Sequence, residues 1–181
     1  MNSAPAQSAC RLSSSAAGYV MDEIADGIFW LGDGSYQNMF VVTDEGVIAI
    51  DAPPTLGNNI LRAIDRVTKK PVTHVVYSHH HSDHVGAMSI YPERAPRYAQ
   101  RATAQRLELL ADPHRPPATE IFDDAITIDA GDHTLRLEYP GPNHSEGNSF
   151  RPPRLAVSAG RLHPWKALTP PPGRLRSGQP V

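Results

Sequence analysis

The chain holds one cysteine, Cys10, so it can close no disulfide within itself and has no thiolate near any later cluster of polar residues. Metal ligands, if it has them, must be histidines and carboxylates. It contains no apolar run near the roughly eighteen residues that span a bilayer, and it reads as soluble. Strong charge is missing too: the net charge of −2 gives no whole-chain argument for nucleic acid or an anionic membrane as partner and leaves a small-molecule substrate open. No GxSxG elbow is present, which argues against a serine hydrolase. The opening MNSAPAQSACRLSSSAAG has the small residues of a signal cleavage site but no apolar segment before them. Residues 1–18 therefore read as a disordered tail and the protein as cytoplasmic, although a lost export signal would leave the same pattern.

Acidic residues are absent after Asn148. Residues 149–181 hold six Lys or Arg and seven of the eighteen prolines, with neither the period of two nor the period of 3.6 that a packed element needs. This stretch reads as an unstructured Pro/Arg-rich tail, and its dispersed charges are a weak signal for nucleic acid. What remains of the 181 residues, with 40% hydrophobic content over the whole chain, suits one domain with one core.

That domain alternates in an orderly way. Ile28 to Leu31, Met39 to Thr43 and Val47 to Ile50 are β-type runs separated by Gly-Asp-Gly and Asp-Glu-Gly turns, which predicts consecutive antiparallel strands. Ile60, Leu61, Ile64 and Val67 fall at helical spacing before Pro71. Val72 to Tyr77 is a near-continuous apolar run, the pattern of a strand buried on both faces. Thr103 to Leu110 reads as helix, and Ala125 to Ile128 and Thr134 to Tyr139 as two further strands. Directly after the buried strand stands His79-His80-His81-Ser82-Asp83-His84, four imidazoles and a carboxylate in six positions. Such nitrogen and oxygen donors suit a borderline ion such as zinc, and a short turn can fold several of them around one point. A solvated histidine loop without metal is the plainer reading, but it leaves the preceding buried strand unexplained.

HHHSDH resembles the HxHxDH signature of the metallo-β-lactamase-fold hydrolases, and GPNHSEGN around His144 is similar to that family's next ligand motif. The resemblance covers about residues 20–148. It implies an α/β fold, the N-terminal half of an αββα sandwich: a mixed β-sheet with flanking helices, within a partial domain over 19–148. It implies His79, His81 and His144 as ligands of a first ion, with a fourth position for water. Zinc held this way lowers the pKa of that water from ~15.7 to about 7, supplying hydroxide to attack an ester, lactone, thioester or amide carbonyl. Asp83 and His84 resemble the second metal site, with Asp83 also the catalytic residue that orients the nucleophile and handles a proton. Asp51 matches the family's strand-end acid and is expected behind the ligands, fixing imidazole tautomers by hydrogen bonds, though a turn-capping role is its ordinary alternative. His80 occupies a variable position and is assigned no ligand role. One or two zinc ions are implied; iron, used by several branches of the family, would make an oxygenase instead.

A complete member of that family has a second half that supplies a bridging Asp and a last His. After Asn148 there is no Asp, Glu or Cys, and the one histidine, His163, sits beside Pro164. The composition there is what truncation or a shifted reading frame through GC-rich DNA would produce. A metal-binding but inactive remnant is therefore the alternative to an active hydrolase. A half-sandwich would also leave an apolar sheet face bare, so self-association through that face is expected.

Overall fold

The computed structural model describes residues 12–14 and 17–149. The proposed tail at 149–181 lies outside them from residue 150 onward. Eight strands form one sheet in chain order: β1 (Leu12–Ser14), β2 (Tyr19–Ala25), β3 (Ile28–Gly32), β4 (Gln37–Val42), β5 (Val47–Ile50), β6 (Val72–Val76), β7 (Arg97–Gln100) and β8 (Glu120–Phe122). β1 lies within the segment read as a disordered tail, yet it pairs antiparallel with β2. Three residues carry too little periodicity to be seen, and the β2 edge supplies their partners. β3, β4 and β5 are successive antiparallel neighbours, as the turn spacing predicts.

At β5 the sheet changes character. β5 to β8 run parallel, and each step needs a crossover: α1 (Asn59–Val67) leads to β6, a one-turn helix α2 (Ser82–Val85) with a 3₁₀ turn (Met88–Ile90) leads to β7, and α3 (Arg101–Leu110) precedes β8. Parallel neighbours end at the same edge, so the segments leaving β5 and β6 emerge side by side. Val75, Val76 and Tyr77 are fully buried, in keeping with a strand covered on both faces.

Period-two alternation sends the strand side chains into two cores. Phe40, Val47, Ala49 and Val75 join Ile60, Ala63, Ile64, Ala104 and Leu107 of the helices on one face. Val41, Ile48, Ile50 and Val76 point the other way, against the hairpin of β9 (Ala125–Ala130) and β10 (His133–Glu138), which offers Ile128, Ala130, Leu135 and Leu137. Part of the face expected to be bare is thus covered, while Val20 of β2 stays exposed. The last two strands do not extend the sheet; they fold over part of it as a separate two-stranded layer. Among the described residues, no helix is long and apolar enough to cross a membrane.

Candidate metal centre

The chain bends at Ser78 and His80 after β6, and α2 begins at once: His81 caps it with φ −67° and ψ 134°, while the His84 and Val85 amides donate to the His81 carbonyl at 3.1 and 3.0 Å. His79 is therefore drawn inward, 5% exposed, and His84 is carried on the helical turn. A pair of backbone bonds ties this turn to the end of β5, from Ala52 N to His84 O and from Ala87 N to Ala52 O, both 3.0 Å.

His144 arrives from the other side, on the loop after β10. Two anchors fix that loop. Thr103 of α3 donates its hydroxyl to Gly147 O at 2.9 Å, and Ser149 donates its amide to Ser78 O at 2.8 Å and its hydroxyl to Tyr77 O at 2.7 Å. Gly147 sits so close to α3 that a Cβ there would stand 2.4 Å from the Thr103 amide nitrogen, which gives a steric reason for glycine three residues after the histidine. Asn148 donates to the Asn143 side chain and braces the same loop.

The outcome is one cluster. His79, His81 and His144 each offer a ring nitrogen, all within 4.8 Å of one another. Ring centroids lie 4.7 Å apart for His79 and His81, 5.2 Å for His79 and His144, and 4.8 Å for His81 and His144. Nitrogens bound ~2.0–2.1 Å from one tetrahedral ion stand about 3.4 Å apart, so the cluster is close to the spacing an ion demands. A second observation agrees: His79 Nε2 is buried with no hydrogen-bond partner. Buried polar atoms rarely stay unpaired, and a lone pair facing a cation site is a physical reason for one that does. Burial, then the neighbouring His84, His81, His144 and His80, pushes the His79 pKa down to about 4, which keeps its lone pair available. The donor set fits a divalent metal.

His84 and Asp83 stand at the margin. The His84 ring lies 4.7 Å from that of His79, and its Nε2 is 3.8 Å from Asp83 Oδ2, but neither residue belongs to the three-imidazole cluster. Burial also lowers the His84 pKa, with Asp83 opposing. His80 is not part of the cluster: its ring lies 4.7 Å from that of His81, its Nδ1 is 3.2 Å from Ser145 Oγ, and its carbonyl accepts from Arg115 Nη1 at 2.9 Å.

Asp51 lies behind the three histidines but touches no imidazole. Its Oδ1 accepts the Ser78 amide at 2.8 Å and its Oδ2 the Ser78 hydroxyl at 2.5 Å, and Ser78 Oγ lies 2.8 Å from His79 Nδ1. The expected direct bond is thus replaced by a relay through serine, because the parallel register of β5 and β6, with Ile50 opposite Val76, brings the Asp51 side chain within reach of Ser78. Burial pushes the Asp51 carboxyl up to about 7, against the lowering effect of the Ser78 bonds. Its backbone has φ 61°, a left-handed conformation costing ~1–3 kcal/mol in a non-glycine residue. Asn38 Nδ2 donates to Ile50 O and Asp51 O at 2.7 and 2.8 Å, and the Tyr91 hydroxyl donates to Asp51 O at 2.8 Å, holding that conformation in place. Ser78, Asn38 and Tyr91 carry no signal in sequence spacing, since each acts on a residue distant along the chain.

Solved structures share this architecture. A metallo-beta-lactamase of Novosphingobium pentaromativorans superposes with a TM-score of 0.61 at 22% identity, over 71% of this chain and 53% of that one. A second, from Pontibacter korlensis, gives 0.59 at 24% identity over 72% and 64%. Among curated proteins, the 2,4-dinitroanisole O-demethylase subunit alpha of Nocardioides sp. (strain JS1661) is 29% identical over 129 residues, 67% of this chain and 39% of the relative. The metallo-beta-lactamase type 2 of Bacillus cereus is 25% identical over 123 residues, 66% and 47%. The chain thus spans about half or less of the length of these curated relatives. Residues 32–150 match the family model of the metallo-beta-lactamase superfamily, and the chain belongs to that superfamily.

Proposed function

We propose that the chain carries the first metal site of a zinc-dependent hydrolase acting on an ester, lactone, thioester or amide carbonyl. The observation that supports this most is the meeting of three imidazoles from two separate loops, with Nε2 of the deepest one buried and unpaired. When bound, zinc supplies a Lewis acid that polarises a carbonyl oxygen and lowers the pKa of a coordinated water to about 7. His79, His81 and His144 would hold it. The depressed pKa of His79 means that protons compete with metal for it only in acid. Asp83, exposed on α2 beside His84, is placed to accept a proton and return it to a leaving group, and the same pair would hold a second ion. The relative named for O-demethylation of 2,4-dinitroanisole adds an activated aryl methyl ether to the substrates worth testing.

A metal-binding protein without turnover is the second reading. It is favoured by Asp83 and His84 standing outside the cluster. Elemental analysis of the full chain purified without added metal, followed by assays on a nitrophenyl ester, a lactone, a thioester, a β-lactam and 2,4-dinitroanisole, separates the two. The hydrolase reading expects zinc, with turnover lost to a chelator and restored by zinc. Zinc without turnover of any substrate favours the inactive remnant, and iron without zinc would overturn the hydrolase in favour of an oxygenase.

A further inference from the structure

We infer that Ser78 is a positioning residue that sets the tautomer of His79, passing on the orientation of Asp51, so that the imidazole presents Nε2 to the metal. The inference rests on the metal-site reading above and concerns how the chain prepares that site before metal arrives. A serine hydroxyl has one proton to give. At Ser78 that proton has a destination: Asp51 Oδ2, 2.5 Å away, on a carboxylate whose other oxygen already accepts the Ser78 amide at 2.8 Å. With its proton committed, Ser78 Oγ can only accept from the neighbour on its other side, which is His79 Nδ1 at 2.8 Å. The proton of the neutral ring is therefore on Nδ1 and the lone pair on Nε2. That is the atom found buried and without a partner.

Nothing in this chain is free to slip. Asp51 is held at φ 61° by donors from Asn38 and Tyr91 on its carbonyl and by its own amide on Val76 O at 2.9 Å. The next turn is fixed too, since the Ser78 carbonyl accepts from Ser149. A hydroxyl interposed between carboxylate and imidazole keeps the Asp51 carboxyl one residue removed from His79 while still dictating where the ring proton sits. Threonine would carry the same hydroxyl. Alanine would keep the backbone bond to Asp51 and lose only the relay.

Two measurements on the full-length chain at pH 8 test this. In metal-free protein, side-chain ¹⁵N shifts of His79, assigned by their loss in His79→Gln, should show the proton on Nδ1 in the wild type. Zinc affinity, measured by competition with a chromogenic chelator, should weaken about 10–100-fold in Ser78→Ala, the usual range for a lost outer hydrogen-bond partner, and return towards wild type in Ser78→Thr. A His79 proton found on Nε2, or Ser78→Ala binding zinc as tightly as wild type while His79→Ala loses it, overturns the relay and leaves the metal site standing. If His79→Ala also keeps its zinc, the metal-site reading itself fails.

Discussion

His79 owes its chemistry to what surrounds it. Burial and four neighbouring imidazoles hold it neutral, Ser78 occupies one ring nitrogen, and the other is left bare. Behind it, Asn38 is a buried amide that satisfies two backbone carbonyls at the strained end of β5. Replacing Asn38 with Ala should remove one donor from each carbonyl, leaving Asp51 O only the Tyr91 hydroxyl, and cost about 1–3 kcal/mol in urea unfolding, with metal affinity falling alongside as Asp51 loosens. An unchanged midpoint would mean that the Asp51 backbone needs no such support. The histidines were legible in the sequence because their donor atoms crowd into one short motif after an apolar run. Ser78 carries no such signal. Its role exists only because β5 and β6 run parallel and bring the Asp51 side chain within reach of it, which local spacing cannot express.

Among the elements, periodicity found those with a clear apolar face. β3, β4, β5, β6, α1, α3 and the β9–β10 hairpin follow from alternation or helical spacing. β7 and β8 do not, being four and three residues long, too short to show a period. Arg97 of β7 is only 3% exposed, its guanidinium donating to the carbonyls of Tyr91, Pro92, Glu93 and Ala95, a satisfaction that no pattern of hydrophobicity reveals. α3 matters for function through the loop it supports. Gly147→Ala would drive a methyl into the Thr103 backbone, so the His144 loop must lift. We predict a loss of about 1–3 kcal/mol from overpacking together with loss of bound zinc, read from unfolding and metal content of the same preparation. Retention of both would show that the loop is not seated on α3 as described.

The hairpin is tied down by a titratable contact. His133 faces Asp132 at 3.0 Å and the Asp26 carbonyl at 3.2 Å; burial works against its charged form, but these partners outweigh it and raise its pKa above the usual 6.5. A histidine raised on folding stabilises fully below the unfolded pKa, and the gain is lost as pH rises through the folded value. Melting temperature should therefore fall by about 1–3 °C between pH 6 and pH 8 from this contact, the modest size expected of a partly exposed pair, and His133→Ala should remove that increment. The opposite slope, or no difference between the two proteins, would contradict the assignment.

At the scale of the whole molecule, one sheet is packed on both faces, by helices on one side and, over part of the other, by a two-stranded layer. The sequence suggested half a sandwich with an open face because hydrophobic alternation marks a strand without saying which layer it joins. The same arrangement makes the metal site a joint between distant parts of the chain: the segment leaving β6 and the loop leaving β10 meet only across the sheet edge. Whatever binds all three imidazoles should therefore stabilise the fold as well, by mass action on the native state. Zinc content and melting temperature of the wild type, His79→Ala and His144→Ala, each dialysed against metal-free buffer and then titrated with zinc, address this most directly. The prediction is about one tightly held ion in the wild type with a zinc-dependent rise in melting temperature, and loss of both in each variant, since three histidines leave no spare ligand. Full metal content in both variants would contradict a shared ion and, with it, the reading of the site.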